Sequence, residues 1–284
     1  MPAFAKINLT LDVGPRRDDG YHDIDSIVAK ISAHDEITVS LRPGSGNVRL
    51  IVKDKRPDAL AFPPLPKGAD NLAHQAAQRA LDTWMADTAI DVWVTLAKRI
   101  PVESGLGAGS SDAAAVLRLL AEAAGRTPEE AMALGAELGS DVNAFLIDGP
   151  VRMRGRGEIV EPMAGVPRLH GVVVRPVSGV STAAAYRELD QTERTPGART
   201  LGWLSSTDPA DFPYGNDFQS PIAAMSPEVG EAIERLTAEG ASPVLLCGSG
   251  SAVFGGTAGP VEAVGLVTRL ARHFPWIKKV ETLP

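Results

Sequence analysis

The stretch Pro101-Val102-Glu103-Ser104-Gly105-Leu106-Gly107-Ala108-Gly109-Ser110-Ser111 carries the clearest chemical signal in this 284-residue sequence. Three glycines alternate, two serines follow, and an alanine- and leucine-rich run comes next. Glycine tolerates positive φ and lets the backbone approach a ligand closely. A helix N-terminus adds unpaired N–H groups and a partial positive charge. A strand, this loop and a helix opened by Ser110 or Ser111 would together make an anion site suited to a di- or triphosphate. A simple helix-capping loop is the plainer reading, but it does not account for alternating glycines next to paired serines. The commoner nucleotide signatures are absent. No lysine follows the glycines as a P-loop requires, and Ser110 stands where a dinucleotide fingerprint needs its last glycine.

The elements around the loop follow from periodicity. Ile7, Leu9, Leu11 and Val13 alternate with Asn8, Thr10 and Asp12, the pattern of a half-buried strand that carries Lys6 near its start. A polar turn centred on Asp19-Gly20 leads to strands over Ile24–Lys30, Glu36–Leu41 and Val48–Val52. Asn71 is placed to cap a helix from Leu72 to about Met85, and Ile90–Ala97 is the strand that feeds the loop. Thr127-Pro128-Glu129-Glu130 predicts a capping box, with the helix ending at Gly139 and a short helix starting near Asp141. After Val151 the pattern changes to a hairpin through Gly155 and Gly157, then a buried strand over His170–Pro176. Helices are expected near Ala183–Leu189 and Pro227–Glu239. Two short strands, Ser242–Cys247 and Ala252–Gly255, flank a second glycine turn, and a helix over Val261–His273 and a strand over Ile277–Thr282 close the chain. This mixture predicts an α+β protein with a junction near residue 150, hence domains 1–150 and 151–284, the last strand being free to return to the first domain.

At the loop the sequence resembles the GHMP kinases. Pro101, Gly105, Leu106, Gly107, Ser110 and Ser111 match their P-x-x-x-G-L-G-x-x-S-S run. Their other two motifs appear in order as Ala5-Lys6-Ile7-Asn8-Leu9 and Cys247-Gly248-Ser249-Gly250-Ser251. Lys6–Leu9, Asp19-Gly20-Tyr21-His22 and Gly139-Ser140-Asp141-Val142 resemble one branch, whose members phosphorylate a hydroxyl of a cytidine-bearing sugar-alcohol diphosphate in isoprenoid precursor synthesis. The resemblance implies a two-domain fold. The N-terminal domain would have a left-handed βαβ crossover and the C-terminal domain would be ferredoxin-like, with the active site in the cleft between them.

The same resemblance implies the site. ATP would lie on Pro101–Ser111 with Lys98 beside the adenine pocket, and Mg2+ would be held by Ser111. Asp141 would be the general base and Lys6 the catalytic cation. Tyr21 and Tyr186 would stack the cytosine, and His22 would hydrogen-bond its edge. Asn8 and Thr182 would contact the sugar alcohol or diphosphate, and Gly248-Ser249-Gly250 would flank the substrate and phosphates. Taken alone, Asp141 reads first as a plain helix cap and Lys6 as a solvated strand lysine. Glu103, Ser104 and Ala108 depart from the family's usual small residues. Ala108 fits only if its φ is negative.

Composition narrows the classes. The chain is 44% hydrophobic and 22% charged with a net charge of −7, and it lacks the clustered Lys and Arg of a nucleic-acid-binding surface. One cysteine excludes an internal disulfide, and the five histidines lack metal-ligand spacing. The N-terminus has no signal-peptide core and no stretch is long and apolar enough for a membrane span, so a cytoplasmic protein without membrane partners is expected. It would act on a small molecule as a monomer or weak homodimer. Competing readings are another kinase of the family, of homoserine or mevalonate type, and a non-catalytic ligand-binding protein on the same scaffold.

Overall fold

A computed structural model describes residues 1–58, 61–192 and 197–284. The chain forms two compact units. The first comprises Met1–Ala5, His34–Val102 and Gly107–Asp148, and the second Lys6–Ala33, Glu103–Leu106 and Gly149–Pro284. Asp148 and Gly149 thus fall in different units, close to the expected junction, but Lys6–Ala33 groups with the C-terminal residues. Two long strands, β1 (Pro2–Arg16) and β2 (His22–Pro43), contribute to both units.

In the first unit, β3 (Val48–Asp54) runs parallel to β4 (Ile90–Lys98), and β4 pairs antiparallel with Glu36–Pro43 of β2. The helices α1 (Leu72–Trp84), α2 (Ala108–Ala124), α3 (Pro128–Leu138) and α4 (Val142–Leu146) supply most of its core. Asn71 caps α1 by accepting from the Ala73 amide, and Thr127 and Glu130 form the expected capping box on α3. β2 is continuous where two strands are expected, because Asp35, which reads as a break, is buried with its charge satisfied. Its carboxylate accepts from the Arg99 and Ile100 amides and from Lys98 Nζ.

In the second unit, β5 (Val151–Gly155) pairs with Ile24–Val28 of β2 and with β6 (Ile159–Pro162), the expected hairpin. A four-stranded antiparallel sheet follows, built from β7 (His170–Arg175), β9 (Val244–Leu246), β10 (Val253–Thr257) and β11 (Trp276–Glu281) in the order β11-β7-β10-β9. With α8 (Pro227–Ala238) before β9 and α9 (Pro260–Leu270) before β11, this is the βαββαβ order of a ferredoxin-like layer. β11 pairs with β7 along six residues, and Leu283 beyond it donates to the Lys30 carbonyl of β2. Between β7 and β9 lie α5 (Thr182–Gln191), α6 (Arg199–Ser205), β8 (Gly215–Asn216) and α7 (Gln219–Met225). The last three lack sequence periodicity. Trp203 of α6 stacks on Phe212 at 3.9 Å, so a tertiary contact holds α6 where its own propensity does not.

Candidate active site

β1 differs from its pattern in a way that shapes the site. It is buried on both faces from Ala5 to Val13, because each inward polar residue has a partner. Thr10 Oγ1 bonds Thr200 Oγ1 at 2.7 Å, and Asp12 accepts from the Thr200 amide and from Arg199. Asn8 is the hub. Its Oδ1 accepts from Lys6 Nζ at 2.7 Å and from the Gly248 amide at 2.9 Å, while its Nδ2 donates to Ser26 Oγ. An asparagine expected to face substrate therefore spends its amide on aiming a lysine that is only 5% exposed.

The glycine turn at Cys247–Ser251 packs against the same lysine. A methyl on Gly248 would lie 2.9 Å from the Gly105 carbonyl and 3.1 Å from Lys6 Nζ. Asn216, unforeseen in the sequence, fixes the turn by donating to the Leu246 and Gly248 carbonyls at 2.8 and 2.7 Å. Cys247 is buried, and that burial pushes its thiol up to about 12, so it is no nucleophile at neutral pH.

The loop is tied down from three directions within the second unit. The Lys6 amide donates to the Leu106 carbonyl, the Ala252 amide to Ser104, and the fully buried Arg175 guanidinium to Glu103. Gly105 has φ +73°, and a side chain there would collide with the Cys247 carbonyl. Glu103 also adopts positive φ, +53°, at a cost of about 1 kcal/mol or more for a residue with a side chain. In the first unit, Gly107 is the N-cap of α2 in the left-handed region. The helix therefore opens at Ala108, two or three residues earlier than the serines suggest, and Ala108 sits inside it with no positive φ. Ser111 donates the first helical bond, to Gly107, which leaves the amides of Ala108, Gly109 and Ser110 without intrahelical acceptors.

Two further predicted residues lie in the first unit. Asp141 occupies the N-cap position of α4, yet its side chain makes no capping bond, so the simple cap reading fails. Lys98 is buried, and its ammonium bonds Asp35 and Asp112, each at 2.6 Å. Burial would lower its pKa, but the Asp112 and Asp35 charges reverse this and raise it. Burial likewise pushes Asp112 up to about 7, against the pull of Lys98. The two upward shifts favour opposite charge states for the partners. We take Lys98 as charged, because two carboxylates face it, and Asp112 as the member that titrates. An expected adenine neighbour is thus an internal brace between β4, β2 and the second turn of α2.

The residues expected at a base are grouped in the second unit. His22 Nδ1 faces the Gly14 carbonyl at 3.0 Å, its Nε2 faces Asp190 at 3.1 Å, and its ring stacks on Tyr186 with centroids 5.0 Å apart. Both nitrogens assigned to a ligand edge are therefore taken by the protein. Tyr21 is 55% exposed beneath the Arg156 guanidinium, and Thr182 Oγ1 lies 3.2 Å from Ser249 Oγ. Asp190 and Asn216 escape sequence reasoning because their partners are 168 and 30 or more residues away, and only the Asn-Asp pair inside a turn hints at the second.

Comparison with known proteins places this arrangement. Residues 71–149 match the GHMP kinases N terminal domain and residues 206–275 the GHMP kinases C terminal domain. The chain belongs to the GHMP kinases, a family of ATP-dependent kinases. Its relatives include the 4-diphosphocytidyl-2-C-methyl-D-erythritol kinases of Moorella thermoacetica, 38% identical over 97% of this chain and 95% of the relative, and of Geobacter metallireducens, 36% identical over 97% and 95%. A crystal structure of 4-(cytidine 5'-diphospho)-2C-methyl-D-erythritol kinase matches with a TM-score of 0.84 and 33% identity, covering 100% of this chain and 99% of that one. L. major mevalonate kinase shares the fold at a TM-score of 0.68 and 19% identity. Among the described residues no helix is long and apolar enough to cross a membrane.

Proposed function

We propose that this chain transfers the γ-phosphoryl group of ATP to a hydroxyl of 4-diphosphocytidyl-2-C-methyl-D-erythritol, giving the 2-phosphate, a step of isoprenoid precursor synthesis. The observation that carries this reading is near-full-length similarity to kinases of that name in a chain that retains Lys6, the glycine-serine loop and Asp141.

In this reading the ATP phosphates lie on the loop Pro101–Ser111 and accept from the free amides of Ala108, Gly109 and Ser110. The electropositive end of α2 then offsets their charge. Magnesium bound through substrate phosphates needs few protein oxygens, and a hydroxyl at the helix start suits it. Ser111 is the residue that would hold it, and the ion would draw charge off the phosphate oxygens. Asp141, whose carboxylate is not spent on capping, takes the proton of the acceptor hydroxyl. Lys6, aimed by Asn8, stabilises the oxygen as negative charge develops. Tyr186 and Tyr21 supply the aromatic surfaces for the cytosine, and Thr182 and Ser249 supply hydroxyls for the diphosphate.

The test is ADP release with ATP, magnesium and each of three acceptors: the cytidyl substrate, homoserine and mevalonate. Turnover is expected with the cytidyl substrate alone. Asp141→Asn should lower kcat by about 10²- to 10⁴-fold, the usual contribution of a general base. Turnover with a different acceptor would refute the substrate. A folded protein that binds ATP but releases no ADP with any acceptor would refute catalysis.

A further inference from the structure

Arg175 is the last residue of β7, and its side chain is fully buried. Desolvating a guanidinium is costly, and an apolar side chain of similar volume would fill the space at less cost. What the guanidinium offers instead is a fixed fork of five N–H donors, able to collect carbonyls from separate segments. Two of its acceptors belong to the residues that follow it, Pro176 and Val177. A third belongs to the glycine-serine loop, where Nη2 lies 3.5 Å from the Glu103 carbonyl. The segment after β7 is anchored in its turn. The Ser178 amide donates to Glu228, in the first turn of α8, at 2.8 Å, and Val180 is buried in the core of the second unit.

Gly179 completes the arrangement. A methyl there would lie 2.7 Å from Glu103 Oε2, 3.2 Å from Glu103 Cβ and 3.1 Å from Arg175 Nη2. Gly179 is outside the left-handed region, so what it supplies is space for the Glu103 side chain. Glu103 Oε2 and Arg175 Nη2 border the same gap, which sets a cation beside the acidic group of the loop. Glu103 is also the loop residue that carries a side chain at positive φ.

Resting on the reading that the ATP phosphates lie on Pro101–Ser111, we propose that Arg175 and Gly179 are positioning residues for the phosphate loop. Arg175 holds the Glu103 carbonyl, and Gly179 makes room for the Glu103 side chain. Together they maintain a backbone conformation that is costly by itself. That bend sets the path of the chain into the turns at Gly105 and Gly107, and so the aim of the amides that follow. The guanidinium also offsets the Glu103 charge, which would otherwise oppose a polyphosphate.

The experiment uses the full chain with magnesium, as wild type, Arg175→Lys and Gly179→Ala. Calorimetric titration gives the Kd for ATP and for adenosine, and ADP release gives KM and kcat. Arg175→Lys keeps the charge and loses the fork. It should weaken ATP by about 10-fold, the lower end of the range for a bond to a charged group, because the Glu103 contact is long. Gly179→Ala changes no charge and should weaken ATP by pushing on Glu103. In both variants the loss should fall on the KM for ATP rather than on kcat, and the Kd for adenosine, which has no phosphates, should hold. Gly179 is exposed, so its variant decides the matter if Arg175→Lys does not fold. A folded Gly179→Ala that binds ATP as tightly as wild type overturns the proposal. Equal weakening of ATP and adenosine also overturns it, because a merely structural role would have that result. A folded wild type that does not bind ATP overturns the functional reading instead, so the two failures are separable.

Discussion

Asn8 makes three hydrogen bonds with one amide, and two of them fix groups beside the glycine turn: the Lys6 ammonium and the Gly248 amide. Removing the amide would leave a buried ammonium without its acceptor, a change worth about 1.5–3 kcal/mol for a charge-assisted bond. Asn8→Ala should therefore lower kcat by about 10- to 100-fold, with a smaller effect on the KM for ATP, whose loop amides it does not touch. Steady-state kinetics at saturating ATP would check this, and an unchanged kcat would show that Lys6 holds its place without Asn8. Much at this scale was legible in advance: Lys6, Asn8, Asp141 and the glycines stand in recognisable motifs. The residues that brace the site were not, because Asp190, Asn216 and Arg175 gain their meaning from contacts with residues far away in the chain. A charged residue in a strand or turn has no local signature that separates a buried partner from a solvated side chain.

Helix starts show the same division between local and distant causes. The capping box at Thr127 and the cap at Asn71 are complete within four residues, so the sequence predicts them to the residue. The start of α2 is set by Gly107 in the left-handed region, and the nearby Gly105 lies against the Cys247 carbonyl, a residue from the other end of the chain. Serine preference alone therefore misplaces it. β1 and β2 are longer and more buried than their patterns imply for the same reason, since distant residues neutralise their polar positions. Two substitutions separate a positional role from mere stability. Gly105→Ala should cost about 2 kcal/mol or more, from its positive φ and the carbonyl contact, and should raise the KM for ATP. Thr127→Ala should cost about 1 kcal/mol through loss of the cap and leave both KM and kcat unchanged. Denaturant unfolding and kinetics on both variants would check the pair, and a Thr127→Ala variant with a raised KM would mean that any loss of stability disturbs the loop.

A chain with a net charge of −7 keeps three ionisable side chains together in the core of one unit, and they link its stability to pH. Asp35, Lys98 and Asp112 lie on β2, β4 and α2, and burial pushes Asp112 up to about 7 from an ordinary value of 3.8. Among the described residues Asp112 Oδ1 has no hydrogen-bond partner, which agrees with a carboxyl whose ionised form is poorly supported. The sign follows from proton counting. Between about pH 4 and about pH 7 the folded chain holds a proton on Asp112 that the unfolded chain has released, so this group's contribution to unfolding free energy falls as pH rises through that window. It is complete below the unfolded value and levels off above the folded one. The raised Lys98 acts at the other end of the scale, where its contribution is lost only as pH climbs beyond the ordinary lysine value of 10.5. Asp112→Asn removes the titration while leaving Lys98 its bond to Asp35. Urea unfolding of wild type and variant across about pH 4 to about pH 7 should give a difference curve that tilts toward the variant as pH rises, because all other titrating groups are common to both. A flat difference would mean that Asp112 stays ionised in the folded state throughout, held by Lys98. The brace on α2 would then carry the same charge at every pH at which the loop could bind a nucleotide.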